Sequence, residues 1–330
     1  MKKIRWGLLS TAHINRSLIP AIRASKQGEL VAVASRDLEK SRSYAREWSI
    51  PEAFGSYEDM LNSDNVDVVY ISLPNHLHAE WTVKALQAGK HVLCEKPFAI
   101  TTEEVDQMIA ASRASGCVLE EAFMYRHHPQ TKLVGEWVHG GRLGEISLVR
   151  AVFNFAMYNA ATNVRMVPDY GGGSLWDVGV YPISYAQYIF GEAPQLVSGS
   201  QWIGASGVDE SFAGLLTYSG NRVAQIGCSF RTPFYMSVEI LGTQGRLLLT
   251  RPFTRLDGKE REMIFYPPEG DPQKIRIPKK ETYLGEVEDM HNAILTGAPT
   301  YIRLEESRNH VQTAQALYSS ARSEQTVRLE

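Results

Sequence analysis

The chain has 330 residues, of which 44% are hydrophobic and 22% charged, and its 34 Lys and Arg against 37 Asp and Glu give a formal net charge of −3. This is the composition of an ordinary globular protein, and at ~100–200 residues per domain the length predicts two domains. The near-neutral balance excludes a general attraction to nucleic acid or to an anionic membrane, and no apolar run approaches the ~20 residues that cross a bilayer.

Residues 1–122 alternate short apolar runs with amphipathic stretches, which is typical of a parallel sheet with crossover helices. Thr101 and Glu104 have the spacing of a capping box, and Gly116 ends the helix that they begin. The predicted strands cover residues 4–9, 30–35, 66–73, 91–94 and 118–121, and the predicted helices cover 14–24, 37–48, 79–88 and 101–116. We therefore predict a doubly wound α/β domain over residues 1–122.

After residue 122 the pattern changes to β-rich stretches separated by short turns, which indicates an antiparallel sheet. The segment 251–280 is charged and rich in proline, and we expect it to be a surface excursion. Strands are predicted at 146–157, 195–203, 211–218, 223–230, 235–241 and 246–250, and helices at 129–139, 175–190, 283–295 and 304–321. The sequence thus predicts an α+β domain with a large, mainly antiparallel open sheet over residues 123–330.

The segment after the first predicted strand has features of a dinucleotide site. Such a site needs a tight turn, close approach of the backbone to the pyrophosphate, and helix N–H groups aimed at the phosphates. Gly7 would supply the turn, and small Ser10 and Ala12 would replace the later glycines. A plain tight turn fits the residues equally well, but the strand–turn–helix context favours the cofactor. The candidate residues are Gly7, Ser10, Thr11, Ala12, His13 and Ile14.

The end of the second predicted strand discriminates between cofactors. An NAD site usually has an acidic residue there, which binds the ribose 2′-hydroxyl. Here the strand ends in Ser35 and Arg36, with Lys40 one turn later, and a hydroxyl with a cation suits a 2′-phosphate. A solvated helix start would look the same, and Asp37 opposes the positive charge. The balance predicts NADP, with NAD as the alternative.

Lys96 lies just beyond the predicted strand at 91–94. Parallel sheets bind ligands at the carboxyl ends of their strands, and Pro97 biases Lys96 towards an extended backbone. A single lysine in such a place is more often a solvated surface charge.

Four segments of the chain resemble the Gfo/Idh/MocA oxidoreductases, the family of glucose–fructose oxidoreductase and inositol dehydrogenase. They run through both halves in family order, and Glu95-Lys96-Pro97 is the most specific of them. The segments are Gly7–Ala12, Leu73–His78, Ala88–Pro97 and Gly171–Tyr181. The resemblance implies that residues 1–122 are an NAD(P)-binding Rossmann domain and that residues 123–330 bind substrate and mediate oligomerisation through their open sheet.

The resemblance also implies which residues carry the chemistry. Lys96 takes the place of a catalytic lysine, and where many members have an Asp followed four residues later by His, this chain has Asp177 and Tyr181. A tyrosine there resembles the branch that contains dimeric dihydrodiol dehydrogenase and NADP-dependent xylose dehydrogenase. An ammonium favours the phenolate, so Lys96 could make Tyr181 a proton acceptor, while Asp177 would share its helix face. Pro182 disrupts the preceding turn, and the sequence alone does not distinguish Tyr181 from a core tyrosine.

Further residues are placed beside the ligands by family position. Those expected near the nicotinamide half of the cofactor are Leu73, Pro74, Asn75, His78 and Glu95, together with Lys96. Glu121 and Arg126 could contact cofactor or substrate, although structural salt bridges are equally expected there. Tyr158 and Trp176 are candidates for a wall on which a sugar stacks, although such aromatics more often belong to the core.

These features predict an NADP-dependent oxidoreductase that transfers a hydride between nicotinamide and a sugar or polyol carbon. The favoured substrate is an aldose such as xylose. The enzymatic alternative is a dihydrodiol or deoxy-ketosugar reductase. A non-catalytic NADP-sensing regulator is the alternative from another class, and it would be expected to lose Lys96. We expect a homo-oligomer, a dimer or a tetramer, formed through an uncovered sheet face.

No metal or cysteine framework is predicted. The pairs His76/His78 and His127/His128 lack helical metal spacing. The three cysteines, Cys94, Cys117 and Cys228, cannot all pair and form no CxxC motif. They favour a reducing cytoplasm, in keeping with a start that has no signal-peptide apolar region.

Overall fold

A computed structural model describes residues 3–158, 163–253 and 260–329. It divides the chain into two compact units, one of Met1–His127 with Glu281–Arg308 and the other of His128–Lys280 with Asn309–Glu330. The sequence predicted one boundary, at residue 122, with all later residues in the second domain. The chain instead returns to the first unit for one further stretch near its end.

The first unit contains a six-stranded sheet in which every neighbouring pair of strands is parallel. Its strands are β1 (Ile4–Leu8), β2 (Gly28–Ala34), β3 (Glu52–Phe54), β4 (Val68–Ile71), β5 (His91–Glu95) and β6 (Leu119–Ala122). The order β3-β2-β1-β4-β5-β6 reverses direction between β1 and β4. The carboxyl ends of these two strands therefore form a topological switch point, where such sheets bind ligands. The predicted doubly wound fold is confirmed.

The helices of this unit begin and end largely where the sequence indicated. They are α1 (Asn15–Ala24), α2 (Leu38–Trp48), α3 (Tyr57–Leu61), α4 (His78–Gln87) and α5 (Thr102–Ser115). At α5 the Thr101 hydroxyl accepts the Glu104 N–H while the Glu104 carboxylate accepts the Thr101 N–H, and Gly116 adopts φ 69°. β3 and α3 were not predicted, because three and five residues are too short to show a period.

The second unit contains a nine-stranded sheet with the order β14-β13-β12-β11-β7-β10-β9-β8-β15. All neighbours are antiparallel except β7 and β10, which are parallel. The strands are β7 (Ile146–Asn154), β8 (Leu196–Ile203), β9 (Asp209–Thr217), β10 (Val223–Ser229), β11 (Tyr235–Gly242), β12 (Gly245–Thr250), β13 (Arg261–Tyr266), β14 (Gln273–Ile277) and β15 (Val327–Arg328). The mainly antiparallel sheet is as predicted.

Two of these strands correct the expected surface excursion at 251–280. In β13, Met263 and Phe265 alternate with more exposed residues and are buried against the sheet's own core. The charged and proline-rich composition of the segment hid this two-residue alternation, which is the signal of a half-buried strand.

The second unit also holds α6 (Pro129–His139) and α7 (Val180–Phe190), the latter packed on β7. The helix predicted over 175–190 is divided, because Leu175–Gly179 forms a π-helical turn and α7 begins only at Val180. Pro182 is the third residue of α7, and it has no N–H with which a regular helix could continue from the preceding turn.

Two helices lie between β14 and β15, namely α8 (Leu284–Thr296) and α9 (Leu304–Ser323). Both were expected to flank the second sheet, but α8 belongs to the first unit and packs against α1. Its His291 is fully buried, and Trp6 Nε1 donates to His291 Nε2 at 2.8 Å. Among the helices of the described residues, none combines the length and the apolar character that a membrane crossing requires.

The Trp6 bond makes His291 a test of how pH acts on the first unit. Because an indole N–H only donates, His291 Nε2 must be unprotonated, which leaves its Nδ1–H for Ser25 Oγ at 3.1 Å. Burial lowers the pKa of His291 to about 4.

We predict that His291 lowers the free energy of unfolding as the pH falls from about 6.5 to about 4, because only the unfolded chain protonates its ring in that range. By pH 5 this linkage amounts to about 2 kcal/mol. Urea titrations of the wild type and of His291→Gln, which cannot titrate, should differ in their pH dependence by that amount. An identical pH dependence in the two proteins would contradict the prediction.

Candidate active site

Gly7 lies inside β1 and not in the turn that follows it. A Cβ at this position would lie 3.0 Å from Met60 Sδ and 3.1 Å from Val66 Cγ1. The expectation that Gly7 makes the tight turn is therefore corrected. The absence of a side chain at Gly7 instead lets Met60 and Val66 pack closely against β1.

The turn between β1 and α1 is instead closed by side chains. Ser10 Oγ lies 2.7 Å from Ser72 Oγ, Ser72 Oγ donates to Asn15 Oδ1 at 2.7 Å, and Asn15 Nδ2 returns to the Ser10 carbonyl at 2.8 Å. The Ala12 N–H donates to Ser10 Oγ. This network joins the carboxyl end of β1 to that of β4. Sequence reasoning missed Asn15 and Ser72. Asn15 is the first residue of α1, and Ser72 directly follows β4.

The start of α1 suits an anion. Ile14 precedes the helix, and its apolar side chain cannot cap the first N–H groups. All residues of the first turn of α1 are among those described, and none of them is acidic. The first N–H groups of a helix carry a partial positive charge, which is the chemistry that a pyrophosphate requires. Thr11 and Ala12 are partly exposed beside it, and His13 is exposed.

The end of β2 keeps the predicted basic character. Ser35 is buried, while Arg36 and Lys40 are exposed. The Asp37 carboxylate accepts the N–H groups of Glu39 and Lys40, so its charge serves as the cap of α2. Burial raises the pKa of Tyr57, and Arg36 opposes that rise through its charge and a hydrogen bond to the Tyr57 hydroxyl. Tyr57, which the sequence did not single out, thus holds Arg36.

His78 joins two loops at this edge of the sheet. Its Nδ1 lies 2.7 Å from the Pro97 carbonyl oxygen and its Nε2 lies 2.8 Å from that of Leu73. Burial lowers the pKa of His78 to about 4, and only 1% of the residue is exposed. These bonds give His78 a supporting role between the two loops, and its expected place beside the cofactor stays a prediction. Pro74 and Asn75 remain partly exposed after β4.

Lys96 follows β5 at the same edge, half-buried, and its peptide bond to Pro97 is cis. The buried Glu95 carboxylate accepts the Tyr70 hydroxyl and, at 3.2 Å, the Lys96 N–H. Burial, and after it the charge of Glu95, raise the pKa of Glu286 on α8 well above its usual range. The structure therefore gives Glu95 a place in holding the backbone of Lys96.

Glu121 and Arg126 are engaged within the first unit. Glu121 is 1% exposed, and its Oε1 accepts the Phe98 N–H at 3.1 Å. Arg126 is 2% exposed and forms an ion pair with Glu306. Both side chains therefore have structural partners, the alternative that the sequence left open, and their contact with cofactor or substrate stays a prediction.

A cluster on β6 and its neighbours contains side chains that metals use. Potential ligand atoms of Glu120, His127 and Asp289 all lie within 4.8 Å of one another. Burial, followed by the charge of Asp289, raises the pKa of Glu120 well above its usual range. Such a shift favours the neutral form of Glu120, which limits the repulsion between the two carboxyl groups.

In the second unit, Asp177 lies in the π-helical turn and Tyr181 at the start of α7. Arg165 Nε donates to Asp177 Oδ2 at 2.7 Å. The Tyr181 ring packs with Phe153 and Phe253, at centroid distances of 5.3 and 5.5 Å. Single π-helical turns are frequent at functional sites, and this one departs from the regular spacing that the sequence implied.

The two candidate stacking residues have different surroundings. Trp176 is 7% exposed, and its ring lies against Tyr318 at a centroid distance of 5.7 Å. It is thus buried as a core residue would be, and its place in a sugar-stacking wall stays a prediction. Tyr158 is 84% exposed, directly before the undescribed residues 159–162.

Comparisons with known proteins agree with this geometry. The sequence profile described as "Oxidoreductase family, NAD-binding Rossmann fold" matches residues 4–123, and the "GFO/IDH/MocA C-terminal domain" matches residues 131–248. D-xylose 1-dehydrogenase (NADP(+)) 2 of Haloferax volcanii is 36% identical over 98% of this chain and 99% of its own. Trans-1,2-dihydrobenzene-1,2-diol dehydrogenase of Xenopus laevis is 33% identical over 73% of each chain.

Among solved structures, a 3-ketoreductase from Actinomadura kijaniata in complex with NADP and TDP-benzene is similar. It has a TM-score of 0.90 and 29% identity, and the match covers 97% of this chain and 98% of that one. Fold, site and relatives together define an NAD(P)-dependent oxidoreductase. The chain belongs to the Gfo/Idh/MocA family, so the family predicted from its motifs is confirmed.

Proposed function

We propose that the protein is an NADP-dependent oxidoreductase that transfers a hydride between nicotinamide and a hydroxyl-bearing carbon of a sugar or polyol, with an aldose such as xylose as substrate. The observation that carries this proposal is the set Lys96, Asp177 and Tyr181, present at the end of β5 and at the π-helical turn. The relative from Haloferax volcanii, named for D-xylose and NADP(+) and similar over nearly its whole length, supports the aldose.

The chemistry divides between the cofactor and the protein. The nicotinamide, when bound, supplies the acceptor or donor of the hydride, whereas the proton is left to side chains. A free tyrosine titrates near ~10, and a neighbouring ammonium favours its phenolate. We assign proton transfer at the substrate oxygen to the Tyr181 hydroxyl, its activation to the Lys96 ammonium, and a second substrate hydroxyl to the Asp177 carboxylate.

Reduction of a ketosugar or a dihydrodiol is the second candidate. The similar 3-ketoreductase favours it, and solved variants of that enzyme replace a lysine and a tyrosine at nearly the same separation in the chain as Lys96 and Tyr181. A panel of aldoses, inositols, ketosugars and dihydrodiols, followed by NADPH absorbance, tests the two against each other. Turnover confined to ketosugars or to dihydrodiols would replace the aldose assignment.

A cytoplasmic location is also proposed. Cys94 and Cys228 are buried, Cys117 is half-buried, and all three are free thiols. Free thiols fit a reducing compartment.

The outer face of the second sheet supports a homo-oligomer. Strand register places Leu215, Gln225 and Arg150 side by side on one face, and it places Trp202 on the same face at the end of β8. Leu215 is 42% and Trp202 61% exposed. Large apolar side chains on an open sheet face favour a protein partner, and we propose that a second copy of the chain covers this one.

We predict that Arg36→Ala weakens NADP binding and leaves NAD binding nearly unchanged. The loss is that of one charge-assisted hydrogen bond, about 1.5–3 kcal/mol. Fluorescence titration with both cofactors measures it, and Arg42→Ala, an exposed arginine paired with Glu39, is the matched control. Equal losses for NADP and NAD would refute the assignment of Arg36 to the 2′-phosphate.

Lys96 and Tyr181 are expected to act together on the substrate oxygen. Tyr181→Phe should lower kcat by about 10²–10⁴-fold, and Lys96→Met should do similar harm. The double variant should be little worse than either single one, since residues that act as a unit are non-additive. NADP binding should survive in all three.

Tyr185→Phe is the matched control for this series, because Tyr185 is a buried tyrosine one turn further along α7. It should keep wild-type turnover. Full turnover in Tyr181→Phe together with an inactive Lys96→Met would leave Tyr181 as a packing residue.

A charged side chain on the exposed face of the second sheet is expected to weaken the proposed interface between two copies of the chain. Leu215→Glu should shift the protein from a dimer or larger species towards the monomer, measured by light scattering at micromolar concentration. Ala110→Glu adds the same charge to an exposed position of α5 and should leave the oligomer intact. A monomeric wild type would remove the proposal.

A further inference from the structure

A buried carboxylate that the proposed mechanism does not use lies close to the catalytic segment of the second unit. Asp209 is the first residue of β9 and is 1% exposed. Its Oδ2 accepts hydrogen bonds from Ser174 Oγ at 2.7 Å and from the Leu175 N–H at 2.8 Å. Its Oδ1 accepts the Tyr318 hydroxyl at 2.5 Å. Three donors from two parts of the chain thus converge on one side chain.

Two of these donors begin the segment that carries the proposed catalytic residues. Ser174 already has helical backbone angles, φ −68° and ψ −33°, and its hydroxyl donates to Asp209 instead of capping its own turn. The first N–H groups of a helical segment have no partners within it, and they carry a partial positive charge. Asp209 therefore acts as a cap supplied by another strand, one turn before Asp177 and two turns before Tyr181.

The backbone next to this cap has little freedom. Gly173 has φ +118°, which side-chain-bearing residues rarely adopt, and a Cβ there would clash with the Asp209 carboxylate and lie 2.9 Å from the Tyr318 hydroxyl. On the other side, the Gly173 N–H donates to the Arg165 carbonyl at 2.9 Å, and Arg165 Nε holds Asp177. The turn is thus fixed between Asp209 and Arg165.

We propose that Asp209 is a positioning residue for the reaction, which sets the place of Asp177 and Tyr181 by fixing the start of their segment. This inference rests on the proposed function. It assigns no contact with substrate or cofactor to Asp209, so its loss should lower kcat far more than it changes KM or cofactor affinity. Small displacements of reacting groups are costly, about 10²-fold for 1 Å.

A conservative change separates the hydrogen bonds of Asp209 from its charge. In Asp209→Asn, the amide oxygen can still accept from Ser174 and Leu175, while the amide N–H₂ can donate to the Tyr318 oxygen. All three contacts survive without the charge. In Asp209→Ala, all three are lost.

The experiment compares wild type, Asp209→Asn, Asp209→Ala and Leu216→Ala in steady-state kinetics and in hydrogen exchange. Leu216 is a fully buried residue of the same strand that leaves the cap in place, so its variant reports loss of stability alone. We expect Asp209→Ala to lower kcat roughly 10- to 100-fold per folded molecule, with the Asn variant within about threefold of wild type. Leu216→Ala should keep its kcat.

Hydrogen exchange measures the positioning without reference to catalysis. Backbone amides of residues 175–181 should exchange at least tenfold faster in Asp209→Ala than in wild type, which is about the effect of losing one helix cap. The same amides should exchange at the wild-type rate in Leu216→Ala. Unchanged exchange in this segment, or a kcat equal to that of wild type, would overturn the inference. Full activity in Tyr181→Phe would instead overturn the assignment of proton transfer to Tyr181, because the exchange result does not depend on that assignment.

Should Asp209→Ala fail to fold, Tyr318→Phe and Ser174→Ala each remove one donor and keep the carboxylate. Each should lower kcat and speed exchange at residues 175–181, by less than the Ala variant would. Wild-type values in both would count against Asp209 in the same way.

Discussion

The position of Lys96 depends on a carboxylate that is hidden behind it. Glu95 is the last residue of β5, and its buried side chain accepts the Tyr70 hydroxyl and the Lys96 N–H. A carboxyl group without hydrogen-bond donors in such a place would be strongly disfavoured, and these bonds contribute to keeping it there. The side chain of Lys96 then leaves a backbone that is held from inside the sheet.

Glu95 also affects the titration of its neighbour on α8, Glu286. Two ionised carboxylates do not share one dry site, and burial together with Glu95 raises the pKa of Glu286 well above its usual range. In the first unit, burial thus favours the neutral form of Glu286, while Glu95 orders the end of β5 through the Lys96 N–H. Asp209 has a corresponding place in the second unit, where a buried carboxylate orders the start of a helical segment.

Local signals in the sequence predicted the parts of the molecule that local physics determines. The capping box at Thr101, the left-handed Gly116 and the change from alternating strand and helix to consecutive strands were all readable. β13 was not, because its charged surroundings obscured Met263 and Phe265. The π-helical turn was not readable either, although Pro182 indicated that a regular helix could not run through unchanged.

The sequence proposes positions for the site but does not predict the contacts that hold them. Arg36, Lys96 and Asp177 come from motifs, whereas Asn15, Ser72, Arg165 and Asp209 act through partners that are distant in the chain or carry no motif. His78 and Glu121 show the converse. Their places in or beside a motif suggested ligand contact. In the structure both side chains are buried and form hydrogen bonds with the protein around them, as buried polar groups generally do.

The return of residues 281–308 to the first unit has a consequence for biosynthesis. The chain emerges from the ribosome with β1 to β6 complete, but the indole N–H of Trp6 still lacks His291, and the Arg126 guanidinium still lacks Glu306. The nucleotide-binding unit therefore cannot reach its final packing during synthesis of its own first 127 residues, and waits until most of the second unit has been made. Any truncation before α8 removes part of the first unit's interior as well as the end of the chain.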